Sequence, residues 1–285
     1  MRTYFENGGG YCYLVTCDYG NRSIPLFDDI TLIVSAGQNV YQDGWTNIEQ
    51  LCYPGSGRFA IVDGPTAEIT SSYNPSGTFK ANSCAAAYYP YLKASWTANQ
   101  IPCSAAVAGI YCSVDRTRGV WKAPANVALT GSLRPLYSVT DDIQGQFNQG
   151  LAINMLRSIA NNGLVVRGAR TLEDSDNWRY ISVRRLFISA ERDILKSMQT
   201  MVFEPNSQPT WEKVRSAITN YLHNLWQQGA LVGATEKEAY FVQIGEGVTM
   251  SADDIAQGKM IVNVGMAAVR PAEFIILTFS QNVAT

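Results

Sequence analysis

Short apolar runs, punctuated by glycine and proline, mark the first half of the chain. Each has the length of a buried strand, and several stop at small turn residues, as parallel strands do where they lead into a loop. The runs are residues 11–16, 30–35, 59–62 and 85–91. This pattern predicts four strands and a layered α/β arrangement in the first half.

A hairpin is predicted early in the second half. Residues 154–159 and 164–171 have the composition of extended segments, and the stretch Ala160-Asn-Asn-Gly joins them. The pair Asn-Gly suits a tight turn because both residues tolerate the positive backbone angles that such a turn requires. We therefore expect two antiparallel strands here.

Two long amphipathic helices should follow the hairpin. Apolar residues recur at helical spacing from Val183 to Met201 with charged residues between them, and Pro205 ends the run. A second run begins near Pro209 and ends at Gly229. This order matches the preference for proline at the start of a helix and glycine just after its end.

The C-terminal part is rich in strand-forming residues. These lie at 239–244, 260–269 and 273–279, and Ser251 is placed to begin a short helix between the first two. The last segment alternates apolar and polar side chains, so it can pair within its own sheet or add to the edge of another subunit's sheet. We predict a mixed α+β fold, with an α/β first domain over residues 1–135 and an α+β second domain over residues 136–285.

Composition narrows the possible partners. The chain is 46% hydrophobic and 16% charged, and its formal net charge is −2. Nucleic acid and anionic membranes need clustered, uncompensated Lys and Arg, so we expect no nucleic-acid binding and no direct lipid binding. No stretch approaches the roughly 20 apolar residues of a membrane span, and residues 1–10 lack the apolar run of a signal peptide. These features predict a cytoplasmic product.

The cysteines do not form a metal-binding pattern. All six lie in the first half without a C-x-x-C pair or a nearby histidine. They are Cys12, Cys17, Cys52, Cys84, Cys103 and Cys112. Since the chain is too long to depend on disulfides and lacks a secretion signal, we predict free, reduced thiols.

Catalytic chemistry has little support in the sequence. The single histidine, His223, lies on the second predicted helix without a nearby nucleophile or acid to form a triad. Acidic pairs at residues 28–29, 141–142 and 253–254 are placed to cap helices or to solvate the surface. The alternative is a hydrolase in which two of these carboxylates converge in one pocket.

Several longer segments are more informative. Those in the second half are Gly168-Ala-Arg-Thr-Leu, Trp178-Arg-Tyr-Ile-Ser-Val-Arg-Arg-Leu-Phe, Val202-Phe-Glu-Pro-Asn, Trp211-Glu-Lys-Val-Arg, Leu225-Trp-Gln-Gln-Gly-Ala-Leu-Val-Gly-Ala and Val269-Arg-Pro-Ala-Glu-Phe-Ile. Those in the first half are Phe5-Glu-Asn-Gly-Gly-Gly-Tyr-Cys-Tyr, Arg58-Phe-Ala-Ile-Val-Asp-Gly-Pro, Ala87-Tyr-Tyr-Pro-Tyr and Gly119-Val-Trp-Lys-Ala-Pro-Ala-Asn. In this order they resemble the contractile tail sheath proteins over essentially the whole chain. Of the phage, phage-like bacteriocin and extracellular injection-system branches, we favour the last.

The resemblance implies a structural subunit and no enzyme. Sheath subunits stack in six-fold rings around an inner tube, assemble in an extended state of high energy, and contract to drive the tube through a target membrane. The implied partners are further copies of the chain, the inner tail tube protein, and baseplate and terminal cap proteins. No cofactor is implied. Such a particle, a phage tail or an injection machine, would assemble in the bacterial cytoplasm.

Two sets of residues become candidates for assembly contacts through the resemblance. Sheath proteins are joined by terminal arms that add strands to a neighbour's sheet, and the candidate intersubunit strand is Glu273, Phe274, Ile275, Ile276, Leu277, Thr278 and Phe279. The inner, C-terminal domain holds the tube, and the candidate tube-facing residues on the first long helix are Arg184, Arg185, Arg192, Asp193 and Lys196. The alternative for the second set is a solvated helix face or a bridge to another sheath subunit.

The beginning of the chain departs from the family pattern. In the family, the segment that resembles residues 2–10 follows an N-terminal arm and the opening elements of the middle domain, whereas here it starts at Met1. We expect the arm to be missing, either in a shortened or incomplete form of the protein or in a paralogue without it. A non-polymerising cap or adaptor built on the sheath fold is the alternative that this departure favours.

Overall fold

The computed structural model describes residues 1–15, 23–37 and 45–273. Its strands are β1 (Leu32–Val34), β2 (Phe59–Asp63), β3 (Ala85–Tyr89), β4 (Leu92–Ala94), β5 (Thr97–Ile101), β6 (Leu133–Pro135), β7 (Ile153–Ile159), β8 (Gly163–Arg167), β9 (Tyr240–Gln243) and β10 (Asn263–Met266). Its α-helices are α1 (Arg2–Glu6), α2 (Trp45–Leu51), α3 (Cys103–Arg118), α4 (Asp141–Gln146), α5 (Ile181–Met198), α6 (Gln208–Gln227), α7 (Glu236–Ala239) and α8 (Ala252–Ala256). The mixed α+β prediction is therefore confirmed.

A five-stranded sheet in the order β1-β2-β3-β7-β8 forms the centre of the fold. The first four strands are parallel, and β8 runs antiparallel to β7. Every residue of β2 and β3 is buried, as expected for parallel strands covered on both faces. The predicted strands at 30–35, 59–62 and 85–91 are confirmed.

The predicted hairpin is also present. Strands β7 and β8 pair from Met155 with Arg167 to Ile159 with Gly163. Asn161 has a φ of 68° and Gly163 a φ of 72°, so the turn uses the left-handed angles that its sequence permits.

Helix α3 packs on the central sheet and was missed by the sequence prediction. Its residues are largely buried, and the Tyr111 hydroxyl lies 2.8 Å from that of Tyr88 on β3. Asp63, the buried last residue of β2, fixes the start of this helix because it accepts hydrogen bonds from the Ser104 amide at 2.8 Å and the Ser104 hydroxyl at 2.6 Å. It also accepts a bond from Ser35 at 2.7 Å, which ties β1 to the same point. A carboxylate at a helix N-terminus satisfies the first amides of the helix and complements its dipole.

A second apolar cluster lies among α5, α6 and the β9–β10 sheet. Its buried members include Leu186 of α5 and Val214, Ile218 and Leu222 of α6. Both predicted long helices are therefore confirmed. Gly229 follows α6 with a φ of 79°, the left-handed angle typical of a glycine after a helix.

Two expectations need correction. Residues 11–15 do not form a strand: Tyr11 is 83% exposed, so this apolar segment is not buried in its own chain, and residue 16 lies outside the described residues. The boundary at residues 135 and 136 does not divide the core, because β7 and β8 lie after it and complete the sheet begun by β1, β2 and β3. The two apolar clusters of the fold meet instead at α5, which contributes residues to both of them.

Gly109 lies where α1 crosses α3, and we expect Gly109→Ala to destabilise the protein by about 1–3 kcal/mol. A Cβ at this position would fall on the carbonyl oxygen of Tyr4 and press against Asn7, so α1 would have to move away. Thermal unfolding measures the loss of stability. Faster protease cleavage within residues 1–10 would show that the loss of stability arises at α1.

Gly145→Ala is the matched control for this change. Gly145 lies in α4, and a Cβ there would meet open space. Alanine should leave stability unchanged or raise it by up to about 1 kcal/mol. If Gly109→Ala unfolds at the same temperature as the unchanged protein, the close contact between α1 and α3 is wrong.

Candidate assembly surfaces

The root of the C-terminal segment is held by an ion pair. Glu273, the last described residue, accepts hydrogen bonds from Arg170 Nε at 2.9 Å and from Arg170 Nη2 at 2.7 Å. The two side chains are only 10% and 20% exposed. Arg170 also donates to the Asn148 carbonyl and lies 4.0 Å from Asp174. A charge-assisted pair of this kind holds Glu273 in a defined position against the fold.

Arg170 is in turn positioned by the central sheet. Asn154, buried on β7, accepts a hydrogen bond from the Arg170 amide at 2.8 Å and donates to the Arg170 carbonyl at 2.8 Å. The same side chain donates to the Ala87 carbonyl on β3 at 3.1 Å. The anchor of the C-terminal segment therefore rests on the most buried part of the fold. Neither Asn154 nor Arg170 was predicted as a site residue, although Arg170 lies in a segment that resembles the sheath family.

The β9–β10 sheet is a second surface with the features of an assembly site. It has two antiparallel strands, and within the described residues no third strand extends either edge. Phe241 is 52% exposed, and its ring lies over Gly265 on the neighbouring strand. An open edge with unpaired backbone groups can accept a strand from another chain. Of the candidate intersubunit strand, Phe274 to Phe279 lie outside the described residues.

Two of the five candidate tube-facing residues are buried. Arg184 donates from Nε to the Cys84 thiol at 3.4 Å, and its guanidinium lies over the Trp178 ring at 4.6 Å. Arg185 forms two hydrogen bonds with Asp115, at 2.8 and 2.6 Å. Burial alone would lower the pKa of the Arg185 guanidinium, but the Asp115 carboxylate outweighs this effect and raises that pKa. The prediction that Arg184 and Arg185 lie on a charged outer face of the helix is wrong, because the first turns of α5 are buried on all sides.

The other three candidates lie further along α5. Asp193 and Lys196 are exposed, and Arg192 is half-buried. Asp193 accepts a hydrogen bond from the Tyr221 hydroxyl of α6 at 2.9 Å. The role of these residues in binding a tube stays a prediction.

The residues considered for catalysis do not converge. Asp254 caps α8, where the Ser251 hydroxyl lowers the pKa of its carboxyl group. The Arg157 guanidinium lowers the pKa of the Asp141 carboxyl, and Asp29 accepts a hydrogen bond from a tyrosine. His223 does have an acidic neighbour, contrary to expectation, because its Nδ1 lies 2.9 Å from Oε1 of the exposed Glu236. One member of each acidic pair is thus engaged in a different part of the fold, and these contacts give the hydrolase alternative no support.

Cavities and thiols give the same picture. One cavity has a volume of about 630 Å³ and is lined by serine, asparagine, glutamine and apolar residues, with no carboxylate or imidazole. Cys52, Cys84 and Cys103 are buried free thiols, and burial raises the pKa of the Cys103 thiol well above its ordinary value. Within the described residues, no group of His, Cys, Asp and Glu is arranged to hold a metal ion. No helix in these parts of the chain is long and apolar enough to cross a membrane.

Comparison with known proteins decides the family. A family model described as the phage tail sheath C-terminal domain matches residues 173–282. The sheath in the contracted PVC complex, an extracellular contractile injection system, is 57% identical over 99% of this chain and 79% of its own length, with a TM-score of 0.94. The chain belongs to the contractile tail sheath family.

Other sheath proteins agree with this assignment. The sheath of the anti-feeding prophage in its contracted helical form is 45% identical over 99% of this chain and 81% of its own length, with a TM-score of 0.85. A putative prophage major tail sheath protein of Pseudomonas aeruginosa is 26% identical over 75% of this sheath chain and 55% of its own length. The chain thus spans about half the length of the curated relatives it matches. The family match begins at residue 173, after the central sheet and shortly before α5.

Proposed function

We propose that this sheath chain polymerises in six-fold rings around an inner tube and contracts to drive that tube through a target membrane. The observation that carries the proposal is the similarity over nearly the whole chain to the PVC sheath. Chains in two structures of the anti-feeding prophage baseplate, one six-fold symmetrised and one in the contracted state, are also similar to this chain. Assembly of the particle would take place in the bacterial cytoplasm, with baseplate and cap proteins at its ends.

The energy for contraction in such a machine comes from the difference in stability between two ways of packing the same subunit. Interfaces between packed surfaces are bistable, so a sheath can be assembled in one arrangement and released into a more stable one by a trigger at its end. This mechanism needs no cofactor and no chemical turnover. The buried sheet and its anchored helix α3 supply a rigid body that can rotate without losing its own contacts.

The C-terminal strand is the proposed link between subunits. The ion pair of Arg170 and Glu273 holds the root of the segment, and the β9–β10 sheet offers an edge that a strand from a neighbouring subunit can extend. Backbone hydrogen bonds made by such a strand can persist while the globular surfaces slide past each other. A link of this kind would keep the sheath continuous during contraction.

The tube contact is assigned to the exposed half of α5. Because Arg184 and Arg185 are buried, the candidate tube-facing residues are now Arg192, Asp193 and Lys196. A modest set of charged contacts suits a surface that must release the tube when the sheath widens, since exposed ion pairs each contribute only about 1 kcal/mol or less.

Charge reversal tests this contact. We expect the double variant Arg192→Glu with Lys196→Glu to lower the amount of tube protein that copurifies with the sheath severalfold, because the change replaces two positive charges with negative ones at the proposed interface. The variant should still unfold at close to the temperature of the unchanged protein. The control is Lys213→Glu with Lys237→Glu, which changes the net charge equally at two exposed positions on other helices. Unchanged copurification of tube by the α5 variant would remove this surface from the proposal.

A further inference from the structure

Two half-buried thiols lie around the hydroxyl group of Tyr4, where α1 crosses α3. This hydroxyl lies 3.6 Å from Sγ of Cys112 on α3, and the two groups share a hydrogen bond. The amide of Gly10 donates to the same hydroxyl at 3.2 Å, and Cys12 follows two positions later. Since consecutive Cα atoms are about 3.8 Å apart, the Cα of Cys12 lies within about 8 Å of that of Gly10.

The loop between α1 and Cys12 is fitted closely to α3. A Cβ at Gly8 would lie 2.8 Å from the Cβ of Ser113, the residue after Cys112, so the loop approaches the helix more closely than a side chain would permit. Arg116, one turn after Cys112, donates from Nη2 to the Gly8 carbonyl at 3.4 Å. These contacts bring the chain to the part of α3 that carries Cys112 just before the chain reaches Cys12.

Electrostatic interactions also place both thiols near this hydroxyl. Burial raises the pKa of the Tyr4 hydroxyl to about 12, and both Cys112 and Cys12 contribute to the rise. The interaction between two charged groups weakens with the distance between them. A thiol that shifts the pKa of Tyr4 therefore lies close to it.

Cys12 and Cys112 differ from the other described cysteines in exposure. Cys52, Cys84 and Cys103 are fully buried, whereas Cys12 and Cys112 are half-buried. Reactive cysteines are partly exposed, and buried ones are inert. A disulfide needs two Cα atoms within about 7 Å of each other. Residues 11–15 belong to no helix or strand, so Cys12 can approach Cys112 without the loss of an element.

We propose that Cys12 and Cys112 form a reversible disulfide when the subunit meets a small-molecule disulfide such as oxidised glutathione. The deprotonated thiol of one cysteine attacks a glutathione sulfur and releases one glutathione as a thiolate. The other cysteine loses its proton and attacks the mixed disulfide, which releases the second glutathione. The two glutathione thiolates take up the two protons, so one disulfide is consumed and one is formed.

The link controls an exposed apolar segment. Tyr11 is 83% exposed and Leu14 is 79% exposed, and these two residues flank Cys12 and Tyr13. In the reduced chain the segment is held through the loop at Gly8 and Gly10 alone, whereas the disulfide fastens it covalently to α3. The redox state therefore sets how far these apolar side chains can adjust to another chain.

Peptide mapping identifies the link directly. The purified subunit is incubated with oxidised glutathione, its remaining thiols are alkylated in denaturant, and the chain is digested with chymotrypsin without reduction. Cleavage after Tyr13 separates Cys12 from Cys17, and cleavage after Tyr111 separates Cys103 from Cys112. The expected product is one linked pair of peptides, with Cys12 in one and Cys112 in the other, from a chain that runs as a monomer in non-reducing electrophoresis.

Other products of the same reaction would overturn the proposal. These are glutathione adducts without a linked pair, a link from Cys112 to Cys17 in place of Cys12, and a link between two chains. Each of them would show that the two thiols do not lie within reach of each other in one subunit.

Thermal unfolding of the oxidised subunit provides a second test. A cross-link restricts the unfolded chain, so the oxidised subunit should unfold several degrees above the reduced one, and dithiothreitol should reverse the shift. Cys12→Ser and Cys112→Ser should each abolish the shift, while the control Cys17→Ser should retain it. Equal unfolding temperatures of the oxidised and reduced unchanged protein would contradict a link that fastens the segment to α3.

Protease cleavage reports the position of the segment. In the folded subunit, oxidation should slow chymotrypsin cleavage after Tyr13 and Leu14 severalfold, because the link holds both sites against α3. Equal cleavage rates would contradict this. All three measurements use the isolated subunit, so they test the thiol pair whether or not the proposed function in a sheath is correct.

Discussion

Glu273→Arg is expected to abolish sheath tubes while the body of the subunit stays folded. The change replaces the carboxylate that faces Arg170 with a second positive charge, at a place where both side chains are largely shielded from water. Removing one partner of a buried pair costs about 3–5 kcal/mol, and each 1.4 kcal/mol corresponds to about a tenfold change in an equilibrium constant. The root of the C-terminal segment should therefore leave its anchor, and the proposed intersubunit strand should no longer be positioned to pair with a neighbour.

Assembly and folding must be measured separately for this variant. Sedimentation of tubes reports assembly, and circular dichroism with thermal unfolding reports the fold. Glu273→Gln, which keeps a hydrogen-bond acceptor without the charge, should fall between the two extremes. Glu246→Arg carries the same reversal on an exposed loop and serves as the control. Normal tubes from Glu273→Arg would show that the anchor plays no part in assembly.

Asp115→Ala is expected to have the largest effect on the stability of the isolated subunit. Asp115 of α3 holds the buried Arg185 of α5 through two short hydrogen bonds, and the guanidinium also lies 4.7 Å from the centre of the Tyr111 ring. Without the carboxylate, a buried positive charge has lost its counter-charge, which costs about 3–5 kcal/mol. Since the pair joins the helix on the central sheet to the helix shared by both apolar clusters, the loss should weaken the whole molecule.

Chemical denaturation of both proteins measures this effect. Glu212→Ala is the matched control, because Glu212 forms an exposed ion pair with Arg215 on α6 and such pairs contribute about 1 kcal/mol or less. A loss of less than about 1 kcal/mol for Asp115→Ala would mean that Arg185 finds another partner or reaches water.

Local signals in the sequence were sufficient for the hairpin and the two long helices. The Asn-Gly turn and the proline and glycine around α6 act through nearby backbone geometry, so they do not depend on the rest of the chain. Helix α3 also has flanking signals, Pro102 at its start and Gly119 with a φ of 90° after its end, but its hydrophobic pattern is weak. Small apolar residues occupy most sides of its first two turns because those turns are buried, and a run of that kind lacks the polar face that marks a helix.

The errors at the candidate sites arise from contacts between residues that are distant in sequence. Arg184 and Arg185 were assigned to an outer face because they lie between apolar positions of an amphipathic pattern. Their burial depends on Trp178, Cys84 and Asp115, and two of these partners are 70 or more residues distant in sequence. Periodicity within one helix cannot reveal such partners.

The anchor of the C-terminal segment could not be found from the sequence for a similar reason. Arg170 and Glu273 are separated by 103 positions, and the Arg170 backbone is held against the central sheet by Asn154, another residue distant from Glu273 in sequence. The strand and the tube-facing residues stay predictions, whereas the family and the α+β fold are established.

Electron microscopy of the assembled protein shows whether this chain builds a sheath. The chain is expressed alone and together with its tube protein, and negatively stained samples are scored for tubular polymers. We expect striated tubes with six-fold rings, formed more readily when the tube protein is present. Monomers alone under both conditions would contradict it and would favour a cap or adaptor built on the sheath fold.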